Sequence, residues 1–139
     1  MTTNAERDPT IEERQGNLLM EVSNTMVRLF KDQFGRGPTS ARTYWAGPDA
    51  LMCILEDSLT PAERNLMKLG EHQRLRETRL AFQFASVEAF GRPVEQITGR
   101  TLRAFHSSTD TEVDGQSVEV FIFHPAGYDG PSRIDRAAV

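Results

Sequence analysis

The chain holds one cysteine, Cys53, one tryptophan, two tyrosines and three histidines. A single thiol cannot close an internal disulfide, and without a second cysteine there is no structural zinc site of the usual kind. No stretch approaches the roughly 20 apolar residues that cross a bilayer as a helix, so membrane insertion is not expected. Cations are not in surplus: 16 Lys and Arg against 20 Asp and Glu leave a formal net charge of -4. General nucleic-acid binding needs the opposite balance. The opening residues Met1 to Asp8 lack the basic-then-apolar pattern of a secretory signal, and a cytoplasmic location is the expectation.

What is present is the composition of one ordinary domain: 139 residues, 38% hydrophobic and 26% charged. A chain of this length buries roughly 65 to 70% of its unfolded surface, enough for one core. Residues 1–9 are polar and end at Pro9, and residues 125–139 begin with a Gly- and Pro-rich run without hydrophobic period, so both read as loose tails around a single domain over 10–124.

From residue 10 to 34, Ile11, Leu18, Leu19, Val22, Met26, Leu29, Phe30 and Phe34 recur at helical spacing, with Glu13, Arg14, Glu21, Arg28 and Lys31 on the opposite face. Gly35 stops this helix and Pro38 blocks its resumption. Ala41 to Ala46 and Ala50 to Glu56 read as a hairpin around Gly47-Pro48-Asp49. The return strand contains Ala50-Leu51-Met52-Cys53-Ile54-Leu55, apolar throughout, which suits a strand covered on both faces. Thr60-Pro61-Ala62-Glu63 is a capping box with proline at the first helical position. The helix it opens is expected to bend at Gly70, to be interrupted at Gly91-Arg92-Pro93 and to end at Gly99.

A second hairpin joins Thr101–Thr111 to Gln116–His124. A two-residue turn would set Asp110 opposite Glu119. A three-residue loop with Gly115 in a bulge avoids that like-charge pair and matches Phe105 with Phe123, so it is the expected register. Phe105, Phe121 and Phe123 then share one face, with Leu102, Ala104, His106, Val118, Val120 and Ile122 on the other. The order αββαββ predicts an α+β two-layer fold, a four-stranded, mostly antiparallel sheet with two long helices on one face. The apolar residues left on the far face predict a homodimer, because monomers rarely expose a large contiguous apolar patch.

Candidate sites are few. The loop Gly35-Arg36-Gly37-Pro38-Thr39-Ser40 offers a guanidinium, hydroxyls and a permissive backbone, chemistry that holds an anion, although a helix stop and turn need the same residues. Arg74, Arg76 and Arg79 lie in the one locally basic helical segment, suited to an acidic protein surface or anionic headgroups or simply to solvation. His106 is a candidate pocket residue. No metal is expected, since His72, His106 and His124 form no ligand pair, and no cofactor motif or nucleophile elbow occurs.

Taken together, the amphipathic first helix, Gly35-Arg36-Gly37-Pro38, the short hairpin, Leu59-Thr60-Pro61-Ala62-Glu63, the Arg-rich helix, Ile97-Thr98-Gly99, and His106-Ser107 ahead of a Gly-containing turn resemble a bacterial domain family labelled MpsC. That label refers to a sodium-translocating, membrane-potential-generating system, and the resemblance covers about residues 15 to 124. It implies an accessory component of a membrane ion-translocation or inorganic-carbon uptake system, with a possible membrane-protein partner and no catalytic residues to carry over. Gly47-Pro48 and Ser108-Thr109 depart from the family's pattern. The leading expectation is a non-enzymatic regulatory or binding module. The alternative is a small-molecule or anion sensor using the Gly35–Ser40 loop and His106.

Overall fold

The computed structural model describes residues 8–137. Most of the expected N-terminal tail, residues 1–7, and the last two residues lie outside the described residues. Helix α1, Ile11–Phe34, opens on a capping box: the Thr10 hydroxyl accepts from the Glu13 N–H at 3.1 Å and the Glu13 carboxylate accepts from the Thr10 N–H at 3.3 Å. It ends where Gly35 turns left-handed at φ 77° and donates to the Lys31 carbonyl. Its buried stripe includes Val22, Met26 and Phe30.

Strands β1, Ser40–Trp45, and β2, Ala50–Glu56, form the first hairpin, with Thr43 opposite Cys53 and Tyr44 opposite Met52. The long helix expected after Thr60 arrives as three: α2, Pro61–Lys68, α3, His72–Ala85, and α4, Val87–Thr98. The first break is at Gly70, whose φ of 77° no helix accommodates. The second is not at Gly91-Arg92-Pro93, which α4 runs through, but at Ser86. Gly91 serves packing instead: a Cβ there would stand 2.9 Å from Leu102 Cδ2 and 3.1 Å from Ile134 Cδ1. The carbonyl that Pro93 leaves without a helical donor belongs to Ala89, an exposed residue.

Strands β3, Leu102–Thr109, and β4, Ser117–Phe123, complete an antiparallel sheet of order β1-β2-β4-β3. The fold is the expected α+β two-layer arrangement, with the helices packed on one face. The β3–β4 register differs from the expected one by two residues: Phe105 faces Phe121, Ser107 faces Glu119 and Thr109 faces Ser117. A longer loop causes this. The Asp110 carboxylate accepts from the N–H groups of Glu112 at 3.1 Å and Asp114 at 2.8 Å, bonds that organise the turn and hold this carboxyl below its ordinary range. An even shift leaves each side chain on its face, so Phe105, Phe121 and Phe123 still point together into the core. Leu102 is the exception. A register irregularity between Leu102 and Ala104 turns it from the outer face, where alternation placed it, into the core.

Beyond residue 124, the short helix α5, Arg133–Ala137, places Ile134 in the same core, against Gly91 and Leu102. The opposite face of the sheet contributes nothing to the buried core. Ala50, Met52 and Ile54 on β2 and Val118, Val120 and Ile122 on β4 are half-buried there, beside the exposed Tyr44. Among the described residues no helix is long and apolar enough to cross a membrane.

Candidate functional site

One row of the core-facing side of the sheet is polar. Cross-strand pairing aligns Thr43 on β1, Cys53 on β2, Glu119 on β4 and Ser107 on β3. The Thr43 and Ser23 hydroxyls lie 2.7 Å apart, tying the row to α1. Burial pushes the Cys53 thiol up to about 11, which makes it unreactive as a nucleophile. Glu119 is 1% exposed. Its Oε1 accepts from the Ser107 hydroxyl at 2.8 Å, while Oε2, equally buried, meets no hydrogen-bond donor. Burial pushes this carboxyl up to about 8, against the opposing pull of Ser107 and of the Arg79 charge.

Arg79 comes down onto this row from α3. Its Nε and Nη2 donate to the two oxygens of Glu63 at 2.6 and 2.7 Å, and Nη2 also donates to the Ser58 carbonyl at 2.8 Å. The guanidinium lies 3.9 Å from the centroid of the Phe34 ring. Glu63 is the capping-box residue of α2 and accepts from the Thr60 N–H at 2.9 Å. One carboxylate therefore closes the helix cap and holds the buried cation.

Between these groups lies a narrow slot of about 20 Å³ lined by Glu119, Ser107, Arg79, Gln33, Gln83 and Ser86, and walled by Phe30, Phe34, Phe82, Phe90 and Phe105. Arg79 and Ser107 also border an outer groove of about 320 Å³ between α3 and β3, whose other lining includes Arg76, Leu80 and Ser108.

The residues singled out from the sequence are dispersed around this centre. Arg36 donates to the carbonyls of Asp57 at 2.9 Å and Leu59 at 2.7 Å and to the Asp57 carboxylate at 2.6 Å, and Arg64 pairs with the same carboxylate. Arg36 thus clamps the connection from β2 to α2. Gly37 passes close to α1, where a Cβ would lie 3.3 Å from the Val27 carbonyl oxygen. His106 is exposed on the outer face of β3, and β1 and β3 are opposite edges of the sheet, so His106 and the loop leading into β1 are not brought together. Arg74 is exposed, 4.0 Å from Glu71. Arg76 binds Thr111 at 2.9 Å and Glu112 at 2.7 Å. Of the three helical arginines, Arg76 and Arg79 share the outer groove.

Glu119 was not singled out, although a signal existed. Strict alternation in Val118-Glu119-Val120-Phe121-Ile122-Phe123 puts it on the face of Phe121 and Phe123. Among the described residues no group of three or more His, Cys, Asp or Glu side chains is placed to hold a metal.

The family model described as "Na+-translocating membrane potential-generating system (MpsC)" matches residues 14–125, from the first turn of α1 through β4. This chain belongs to the MpsC family. The matched region contains every residue of the polar row, the slot and the Arg79 clamp. Among curated proteins, the MpsC-family chain is similar to "Uncharacterized protein YbcI" of Bacillus subtilis (strain 168), 27% identical over 112 residues, covering 80% of this chain and 89% of that protein. No solved structure matches.

Proposed function

We propose that this MpsC-family chain is a non-enzymatic accessory module that works by binding: a homodimer docked through the open face of its sheet, serving a membrane ion-translocating system through a membrane-protein partner. The observation that carries this reading is the apolar outer face of the two central strands, β2 and β4. Met52, Ile54, Val118, Val120 and Ile122 form one patch that no residue of the described core covers. It accounts for the uninterrupted apolar run of β2, whose core side is Leu51, Cys53 and Leu55 and whose other side is only half-buried among the described residues.

A second copy fits this patch. Two such faces pack about 10 Å apart with interdigitated side chains, and a two-fold contact requires a self-complementary surface. The charges at the rim do not call for a different partner, since Arg42 and Glu56 pair with each other at 3.3 Å. The membrane connection rests on the family's description, and the exposed Arg74 and the half-open Arg76 supply cations for an acidic protein surface.

Sedimentation across a concentration series tests the assembly. The expected result is a two-chain species that Val120→Lys converts to a single chain with unchanged far-ultraviolet dichroism; a wild-type chain that sediments as one copy throughout overturns the dimer. Recovery of an integral membrane protein on pull-down from native membranes tests the partner.

A further inference from the structure

We propose that the slot between α3 and the sheet is a binding site for one ammonium group, the free ion or the head of a small primary amine, held by Glu119 Oε2. The slot lies on the helix-covered face, so this inference is independent of the outer-face dimer.

The first argument is a count of charges. The groups around Glu119 are Cys53 from β2, Ser107 from β3, Arg79 from α3 with its partner Glu63 from α2, and the neutral Gln33 from α1, Gln83 from α3 and Ser86 from the α3–α4 junction. Burial keeps the Cys53 thiol protonated. Two carboxylates thus face one guanidinium, and that guanidinium is already paired through both Glu63 oxygens at 2.6 and 2.7 Å. An ionised Glu119 leaves the cluster short of one positive charge, a costly state in a dry interior. A proton can supply it, and burial raises the affinity of Glu119 for one, to a pKa of about 8. A bound cation supplies it as well. A water molecule would satisfy the hydrogen bond of Oε2 without touching the charge.

The second argument is size and wall chemistry. A volume of about 20 Å³ accepts one water-sized group. Ammonium has that size and donates N–H bonds, for which Oε2 is an unused buried acceptor. An alkali ion would need a shell of several oxygens, but Ser86 already bonds Gln33 at 3.0 Å and Ser107 bonds Glu119 at 2.8 Å, while five phenyl rings form the rest of the wall and rings of this kind attract an ammonium group. Arg79 over Phe34 already shows one cation seated on these rings.

The test is thermal unfolding at about pH 8.5, where Glu119 is mostly ionised, with ammonium, methylammonium, potassium and tetramethylammonium chlorides at equal ionic strength. Ammonium and methylammonium should raise the midpoint by about 4 °C at roughly ten times their dissociation constant. Potassium and the oversized tetramethylammonium should do nothing beyond their ionic strength. Glu119→Gln should abolish the ammonium-specific rise. Equal shifts from all four salts, a shift from potassium alone, no shift, or a shift that survives in Glu119→Gln each overturn the proposal. If that variant does not fold, carbon-13 NMR of the wild-type Glu119 carboxyl decides: ammonium, but not potassium, should lower its titration midpoint, and an unmoved midpoint overturns the site.

Discussion

At the residue scale, Glu119 makes this fold sensitive to pH in a direction opposite to most carboxylates. Its pKa in the folded chain, about 8, lies well above the ordinary carboxylate value. The folded state therefore holds a proton that the unfolded state has released. That stabilising difference is complete below the unfolded value near 4.5, is eroded as pH rises through the window, and is gone above about pH 8. At about 1.4 kcal/mol per pKa unit the loss is on the order of 5 kcal/mol. Glutamine mimics the protonated acid and can still accept from Ser107. Denaturant titrations of wild type and Glu119→Gln in metal-free, ammonium-free buffer should agree near pH 5 and diverge by pH 9, with the variant the more stable. Parallel pH profiles would contradict this account of the buried carboxyl. The residue could be placed by alternation, but its missing partner could not, because that depends on Glu63 having already taken Arg79.

Two elements illustrate what local sequence decides and what it leaves to packing. The Thr60 capping box is written in Thr-Pro-Ala-Glu and is formed as expected, with the Thr60 hydroxyl accepting from Glu63 at 3.2 Å. The same Thr-x-x-Glu pattern at Thr10 and Glu13 starts α1 by the same bonds. Thr60→Ala should cost about 1 kcal/mol in denaturant unfolding, the usual worth of an N-cap hydroxyl. Gly91 is the contrasting case. With Pro93 two positions on it reads as a helix break, yet α4 continues through it, and glycine is needed there because Leu102 and Ile134 occupy the space where a side chain would go. In an open helix alanine would improve on glycine by about 1 kcal/mol. Here Gly91→Ala should destabilise by about 1 to 3 kcal/mol, the range for overpacked sites, and a gain in stability would show that α4 does not need that close approach.

For the molecule as a whole, the two-layer α+β design with an apolar sheet face left outside the core of the described residues is the property that organises the rest. The helices bury one side of β2 and β4, leaving Val120 and its neighbours at the centre of the other. If two copies meet there, unfolding should become concentration-dependent, with the midpoint rising as protein concentration rises, because association stabilises only the folded state. A midpoint unchanged over a hundredfold dilution range would place the face outside any stable assembly.

Periodicity, caps and turn residues are enough to establish α1 and its Gly35 stop, the first hairpin, the start of α2, the alternation of helical segments with two hairpins and the shared face of Phe105, Phe121 and Phe123. These are local properties: each depends on residues a few positions apart, and backbone sterics and hydrogen bonding act at that range. The register of β3 on β4, the inward turn of Leu102, the use of Gly91 and the docking of Ile134 were decided only when distant segments met. The site belongs with them, since Glu63, Arg79, Ser107 and Glu119 are scattered along the chain and acquire their chemistry from being sealed together away from water. In that enclosure a carboxyl group with no cation of its own holds its proton far above the usual range, a property no residue carries by itself.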